Sequence, residues 1–344
     1  MISEKFGDIF LKIKNYGIIP ILKIGETDKA PALAEAISSG GLNVAEITLE
    51  TDCADCAAEA IKIITETFPD MLIIAGNIRT EEQALTAAKA GAKVVILPEF
   101  DEKLISYCAK NKIAVIFECS NGLNGSNADD IKKALDMGID VIKFISADGN
   151  DRNDKNGGID GIEMIKTLSV QYPKAKFIPA SGINGNNFVD YLMQKPVIAC
   201  AGSFLVQEDS IRGGDFKTIK DLTSQAVRKM LGFDLAHVVM NCENAEQAEQ
   251  YSSKIESIFG FEKNDAGASV SAAGIIHFMK SKSYGKNGQI AISSNFIDRA
   301  VFHLKESGKN FIEESARFNN KGELTSIYLD SLIGGFALKL VPKI

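Results

Sequence analysis

The 344-residue sequence has no tryptophan, only three histidines, and no apolar segment of the roughly 20 residues that a membrane span requires. It also lacks an excess of positive charge, because 38 Lys and Arg stand against 45 Asp and Glu and leave a net charge of −7. Such a chain offers little attraction for nucleic acid or anionic lipid, so we expect neither as a partner. Residues 1–15 lack the continuous apolar core of a signal peptide, which predicts a cytoplasmic protein.

Cysteine is sparse and follows no regular pattern. Six cysteines without the spacing of a disulfide framework predict reduced thiols. Cys53 and Cys56 form a C-x-x-C sequence, which occurs in redox and zinc sites, but a second pair is missing. Because the sequence TDCADCAAEAIKII is typical of a helix that starts after a strand, we interpret both cysteines as packing residues.

The first two thirds of the chain alternate short β-branched runs with amphipathic segments. Segments such as EEQALTAAKAGA repeat apolar residues at three and four positions and end in glycine, as helices do. This alternation predicts parallel strands joined by crossover helices, and eight such units predict closure into a (β/α)₈ TIM barrel. The predicted strands are Gly17–Ile24, Asn43–Leu49, Leu72–Gly76, Lys93–Pro98, Ile113–Cys119, Val141–Ile145, Lys176–Ser181 and Val197–Gly202.

The pattern changes near residue 230. From Leu235 a strand, a helix and two or three short strands follow one another, and the same series starts again at Gly288. One such module cannot bury its sheet face alone, so two copies predict one cupped sheet with helices outside. We therefore predict an α/β barrel domain over residues 1–230 and a smaller α+β domain of two βαβββ-like modules over residues 233–344.

The strongest candidate for chemistry in the barrel is Lys143, in the predicted strand DVIKFISA. All three histidines lie beyond the barrel, so acid–base work inside it falls to carboxylates, amines, Tyr or water. An ammonium among apolar neighbours is costly unless it is paired or neutral, and desolvation lowers its pKa and favours a nucleophilic amine. Lys143 is therefore a candidate Schiff-base nucleophile; the alternative is a structural ion pair or a side chain that reaches solvent.

Glu46 is the second candidate, because its carboxylate lies among Val44, Ala45 and Ile47 in the predicted strand NVAEITLE. The inward side chains of a closed barrel converge, which predicts that Glu46 lies near Lys143. There it could shuttle protons during carbinolamine formation and C–C bond cleavage. The alternative is a buried salt bridge without chemistry.

A family resemblance rests on seven short sequences between Phe10 and Gly232, namely GIIPILKI, VAEITLET, IIAGNI, VVILPEF, VIKFISA, FIPASGI and CAGSFLV. With these sequences the barrel resembles the 2-keto-3-deoxy-6-phosphogluconate (KDPG) and 2-keto-4-hydroxyglutarate (KHG) aldolases. The resemblance implies a class I aldolase that cleaves a small-molecule 2-keto acid to pyruvate and an aldehyde. It implies that Lys143 of the K-F motif forms the Schiff base and that Glu46 of the E-x-T-L motif is the general acid/base. It also implies a homotrimer, and we expect no cofactor.

The resemblance places the phosphate-binding end of the barrel at two pairs of small residues. Ser181 and Gly182 follow the seventh predicted strand, and Gly202 and Ser203 end the eighth. Small residues let backbone N–H groups approach an anion. Gly and Ser at strand ends are also ordinary turn residues, so the pattern alone leaves both interpretations open.

Several positions depart from the family pattern. Pro98 matches, but Asn77 and Ala180 each replace a family threonine, and of these only Asn77 can donate a side-chain hydrogen bond. Glu99 and Glu118 add two carboxylates, which we place at strand ends. We infer that imine chemistry is retained and that substrate preference has moved.

The doubled module after residue 233 looks like the vicinal oxygen chelate group of glyoxalase and bleomycin-resistance proteins, whose cupped sheet often holds a divalent metal. His237 and His277 match ligand positions, but Gln289 and Lys339 occupy the other two. An ammonium beside two imidazoles disfavours a divalent cation, so we expect no metal. His303 is interpreted as a residue on a helix face.

Three classes of function remain open from the sequence. The first is a Schiff-base aldolase, which the retained Lys143 and Glu46 favour. The second is an altered aldolase-like barrel that binds a small ligand without turnover, beside a C-terminal binding module without metal; Glu50 and Ala180 favour it. The third is a bifunctional chain whose second domain is itself enzymatic, which would need a metal set that the sequence does not supply.

Glu50 is the departure that bears most directly on substrate choice. Where the family has an arginine that holds the substrate carboxylate, this chain has a residue of opposite charge. Two carboxylates about 4 Å apart repel by roughly 4 kcal/mol at an effective dielectric constant of 20. We therefore include Glu50 among the substrate-binding residues. The alternative is that it turns outward or pairs with a cation such as Arg79.

The variant Glu50→Arg restores the family's charge without touching Lys143. We expect it to bind and cleave KDPG or KHG better than the parent, because the repulsion of the substrate carboxylate is removed. The measurement is kcat/KM on both substrates. An equal or lower kcat/KM on both, with the parent already efficient, would mean that Glu50 does not influence substrate choice.

Overall fold

The structure, a computed structural model, describes residues 3–49, 54–120, 126–145 and 161–343. The chain divides into two units, residues 1–227 and 228–344, and each unit contains one eight-stranded sheet. No helix within the described ranges is long and apolar enough to cross a membrane.

The first unit is built around eight parallel strands in the order β7-β6-β5-β4-β3-β2-β1-β8. Parallel strands covered on both faces are continuous apolar runs, and Ile47, Ile73 and Val95 are accordingly inaccessible to solvent. The strands are β1 Ile18–Leu22, β2 Val44–Thr48, β3 Leu72–Gly76, β4 Val94–Leu97, β5 Ala114–Ser120, β6 Val141–Ile145, β7 Lys176–Ala180 and β8 Cys200–Gly202.

The sheet closes on itself through the segment before β8. Phe177 of β7 donates its backbone N–H to the Pro196 carbonyl at 2.8 Å, and its own carbonyl accepts from Ile198 N at 3.0 Å. These bonds form a bridge between Phe177 and Val197, so the regular strand β8 starts later than predicted, at Cys200. The predicted (β/α)₈ barrel is confirmed.

Helices alternate with the strands, and two of them begin at capping side chains. Thr80 accepts a hydrogen bond from Gln83 N, and Asp101 accepts from two backbone N–H groups, as N-cap residues do. Gly91 ends α4 with a φ of 114°. The helices are α1 Gly7–Tyr16, α2 Ala30–Ser39, α3 Ala54–Thr67, α4 Glu81–Ala90, α5 Glu102–Lys110, α6 Ser126–Asp136, α7 Gly161–Gln171, α8 Phe188–Leu192, α9 Glu208–Gly213 and α10 Phe216–Leu231.

The second unit repeats one βαβββ module twice in a sheet of order β10-β11-β12-β9-β13-β16-β15-β14. The two modules meet at the antiparallel pair β9 and β13. At Gly288, where β13 begins, an added Cβ would lie 1.9 Å from the Val239 carbonyl oxygen, so only glycine fits. His303 is buried on α12. The elements are β9 Asp234–Asn241, α11 Ala245–Phe259, β10 Lys263–Asp265, β11 Ser269–Ala272, β12 Ile276–Met279, β13 Gly288–Ser294, α12 Ile297–Glu306, β14 Phe311–Phe318, β15 Leu324–Ile333 and β16 Phe336–Pro342.

Candidate active site

The amine of Lys143 lies between two carboxylates inside the barrel. Its Nζ is 2.7 Å from Glu46 Oε1 and 3.2 Å from Glu118 Oε2. Glu118 on β5 is the register partner of Lys143 on β6, and residues paired in this way point to the same face of a sheet. Glu46 belongs to β2, four strands from β6 in the sheet, and reaches Lys143 because the sheet is closed. The structure thus brings the two predicted residues together and adds Glu118.

Glu46 packs against Gly76 of β3. A Cβ at position 76 would lie 2.6 Å from Glu46 Oε1, so the glycine makes room for the carboxylate. Oε1 accepts a hydrogen bond from Lys143 Nζ, whereas Oε2 is buried without a hydrogen-bond partner in the described part of the chain. A buried carboxylate oxygen in this state is available to exchange a proton with a ligand.

Burial and charge together set the protonation of this cluster. Desolvation raises the pKa of Glu46 above its ordinary value, although attraction by Lys143 opposes it. Desolvation lowers the pKa of Lys143, but the combined attraction of Glu46 and Glu118 outweighs it and raises the pKa above the ordinary value. The predicted lowering of the lysine pKa is therefore wrong for the resting site, because that prediction counted desolvation without the attraction of the two carboxylates.

The two carboxylates predicted at strand ends, Glu99 and Glu118, differ in their surroundings. Glu118 lies within β5 and its side chain is 23% exposed. Glu99 follows β4, is 78% exposed, and its Oε1 accepts a hydrogen bond from Arg79 at 2.6 Å. Arg79 is therefore paired with Glu99. A carboxylate in the apolar run VIFEC, one strand before Lys143, is the signal from which the contact of Glu118 could have been found.

Asn77 and Pro98 lie just beyond the carboxyl ends of β3 and β4. Asn77 has a φ of 61°; its Nδ2 donates to the Leu49 carbonyl at 3.0 Å and its Oδ1 accepts from Arg79 Nε at 3.1 Å. Its predicted hydrogen bond to a substrate thus competes with bonds within the protein. Pro98, Arg79 and Glu99 are among the residues that line a pocket of about 530 Å³.

The loop after β7 holds three of the predicted substrate-binding residues. Ala180 is buried as the last residue of β7. Ser181 and Gly182 are exposed and have φ values of 67° and 68°, in the left-handed region. Asn187 Nδ2 donates to the Gly182 carbonyl at 2.8 Å and helps to hold this turn. A Cβ added at Gly182 would meet nothing within 4 Å, which leaves open space beside the backbone.

The loop after β8 lies next to the loop after β7. A Cβ built on Gly202 would be 3.5 Å from the Ile183 carbonyl oxygen. Gly202 is buried and Ser203 is exposed. The two predicted pairs of small residues therefore belong to neighbouring loops at the carboxyl ends of their strands, where ligands bind in barrels of this kind. Glu50 and Cys53 lie outside the described residues, so the interpretations of both remain predictions. Cys56 is disulfide-bonded, so the prediction of a reduced thiol is wrong at this position. Free thiols are found at Cys108, Cys119, Cys200 and Cys242.

The second unit places its predicted ligand positions close together. The rings of His237 and His277 have centroids 5.1 Å apart, and desolvation, His277 and Lys339 lower the pKa of His237. Lys339 Nζ lies 5.6 Å from the centre of the Tyr328 ring, and the Tyr328 hydroxyl donates to Gln289 Oε1. Within the described ranges, no three His, Cys, Asp or Glu side chains are grouped as a metal ion would require.

Comparison with known proteins concerns the barrel. Residues 9–222 match the family model described as "Aldolase: KDPG and KHG aldolase". The chain belongs to this family. It is 32% identical over 220 residues to the 2-dehydro-3-deoxy-phosphogluconate aldolase of Treponema pallidum, with 64% of this chain and 96% of the relative covered. It is 28% identical over 210 residues to the KHG/KDPG aldolase of Escherichia coli, with 61% and 90% covered.

A solved structure supports the same assignment. The KDPG aldolase of Legionella pneumophila, crystallised with pyruvate captured as a covalent carbinolamine intermediate, is 30% identical with a TM-score of 0.53. The match covers 63% of this chain and 97% of that protein. The family match ends at residue 222, so the whole of the second unit, residues 228–344, lies beyond it.

Gly76→Ala tests whether Glu46 occupies the space above Gly76. The added methyl group must displace the carboxylate, and overpacking of this kind costs about 1–3 kcal/mol. We expect a lower urea midpoint than in the parent. Gly7→Ala is the matched control, because a Cβ there meets nothing within 4 Å. If Gly76→Ala is as stable as Gly7→Ala, the packing of Glu46 on Gly76 is not as described.

Proposed function

We propose that the barrel is a class I aldolase that cleaves KDPG, KHG or a related 2-keto-3-deoxy sugar acid to pyruvate and an aldehyde. The observation that carries this proposal is the Lys143 amine held 2.7 Å from a buried carboxylate inside the barrel. An amine is the group that forms an imine with a ketone, and the neighbouring acid can move the protons that this requires. Membership of the KDPG and KHG aldolase family supports the substrate class.

The first half of the proposed reaction forms the imine. Lys143 Nζ passes a proton to Glu46 Oε1, and the neutral amine adds to the C2 carbonyl of the substrate. The carbonyl electron pair moves to its oxygen. This oxygen takes the second proton that the nitrogen loses on addition, which gives the carbinolamine. Glu46 then returns its proton to this oxygen, which leaves as water and produces the protonated imine on Nζ.

The second half cleaves the carbon chain. Glu46 removes the proton from the C4 hydroxyl, the C3–C4 bond breaks, and its electrons move toward the imine nitrogen. This step gives an aldehyde and an enamine. Glu46 returns the proton to C3, and addition of water to C2 releases pyruvate and Lys143. The imine nitrogen accepts the electrons throughout, so the proposed chemistry needs no cofactor.

The neighbouring loops supply the rest of the proposed site. Ser181, Gly182, Gly202 and Ser203 would bind the far, anionic end of the substrate, since small residues there let backbone N–H groups approach an anion, and all of them except Gly202 are exposed. Asn77, Pro98 and Ala180 would border the reacting end. We also propose that the protein forms a homotrimer, and membership of the family supports this proposal.

The second unit is proposed to be a binding module without metal that resembles the vicinal oxygen chelate group. Its twofold βαβββ repeat supports this likeness. Lys339, whose positive charge contributes to lowering the pKa of His237, argues against a divalent cation beside that histidine.

The test is release of pyruvate from KDPG, KHG and unphosphorylated 2-keto-3-deoxygluconate. We expect the parent to cleave at least one, Lys143→Ala to be inactive, and Glu46→Gln to lose about 10²-fold or more in kcat, the scale of a general acid/base. Lys176→Ala and Glu35→Gln are controls outside the site. If none of the three substrates releases pyruvate, the alternative of a barrel that binds a ligand without turnover is favoured. An unchanged kcat in Glu46→Gln would mean that Glu46 has only a structural role.

A further inference from the structure

The second carboxylate beside the Lys143 amine, that of Glu118, is not required for the proposed proton transfers. Glu46 alone can accept and return every proton, yet Glu118 Oε2 also lies 3.2 Å from Nζ. Among the described residues, Glu46 from β2 and Glu118 from β5 are the charged groups in contact with this amine. Its register partner on β7 is the apolar Ile178. Glu118 therefore has a role that the sequence motifs around Lys143 and Glu46 do not explain.

Charge balance allows the two carboxylates to have different roles. One ammonium faces two acids, so a proton can move to Glu46 while the cluster still holds one anion. Glu46 is 2% exposed, so its carboxylate gains little from hydration when charged and takes up a proton readily, whereas the side chain of Glu118 is 23% exposed. The raised pKa of Glu46 agrees with this division.

We propose that Glu118 is the counter-ion of the Lys143 nitrogen throughout the reaction, while Glu46 carries the proton. This inference rests on the proposed function. In the resting site Glu118 and Glu46 share the ammonium. After the proton has moved to Glu46 and water has left, the nitrogen carries a positive charge again as the protonated imine. Glu118, at the same register level on the neighbouring strand, remains beside this charge and leaves Glu46 free for the C4 hydroxyl.

A counter-ion has a consequence that a purely structural residue lacks. An anion next to an amine favours the ammonium form, and an opposite charge within about 4–6 Å shifts a pKa by about 1–3 units. Removing Glu118 should therefore free the Lys143 amine at lower pH. The effect should be specific to the residue that touches Nζ and should not follow from loss of a negative charge elsewhere at this end of the barrel.

The experiment measures the pH dependence of Lys143 acetylation by acetic anhydride, followed by mass spectrometry of the peptide that contains Lys143. In Glu118→Gln we expect the apparent pKa of labelling to fall by about one unit or more relative to the parent. Glu118→Asp keeps the charge and should stay closer to the parent. Glu99→Gln removes a carboxylate that pairs with Arg79, and it should leave the profile unchanged. Glu118→Ala replaces Glu118→Gln if the latter does not fold.

The same variants are then compared for borohydride-trapped pyruvate as a function of pH. Equal labelling profiles in the parent and Glu118→Gln, including absence of labelling in both, would overturn the counter-ion role. A similar fall in Glu99→Gln would also overturn it, because the effect would then be one of net charge. A fall in the labelling pKa of Glu118→Gln alone, without a pyruvate adduct in any protein, would support Glu118 as the counter-ion of the resting ammonium, and would contradict both the proposed function and the role of Glu118 at the protonated imine.

Discussion

The positive charge of Lys143 inside the barrel is the constraint on which the rest of the site depends. An ammonium that is 7% exposed is stable there only with anionic partners, and a buried acid such as Glu46 is equally costly alone. The three groups therefore require one another. Gly76 belongs to the same arrangement, because any side chain at that position would occupy the space of the Glu46 carboxylate.

This arrangement depends on closure of the whole sheet. Lys143 and Glu46 are 97 residues apart in sequence and four strands apart in the sheet, so no local element brings them together. The bonds of Phe177 to Pro196 and Ile198 close the barrel and turn both side chains toward one interior. The same closure places the loops after β7 and β8 side by side, which gives the substrate's far end a place to bind.

The parts of the fold that could be predicted from the sequence are those that follow a periodic pattern of apolar residues. The bounds of β3 and β6 agree with the sequence, because each is an uninterrupted apolar run apart from Lys143. The proximity of Glu46 and Lys143 could be predicted because charged residues within such runs need partners. The proposed division of work between Glu46 and Glu118 could not, because it depends on strand register, and a shift of one residue would turn Glu118 to the other face.

The contacts between loops could not be predicted from the sequence either. The amide of Asn77, whose backbone has a φ of 61°, bonds to Leu49 and Arg79, and Arg79 pairs with Glu99 across neighbouring loops. Neither choice of partner is encoded in a periodic pattern. The family motifs, by contrast, identified the candidate nucleophile and the candidate acid/base by residue, and the structure places them in contact.

The most direct measurement is borohydride reduction of the parent protein in the presence of pyruvate, followed by mass mapping of its peptides. The account predicts a pyruvate-derived adduct on the peptide that contains Lys143 and its loss in Lys143→Ala. No adduct with any 2-keto acid tried, or an adduct that persists in Lys143→Ala, would contradict the assignment of Lys143 as the imine-forming residue.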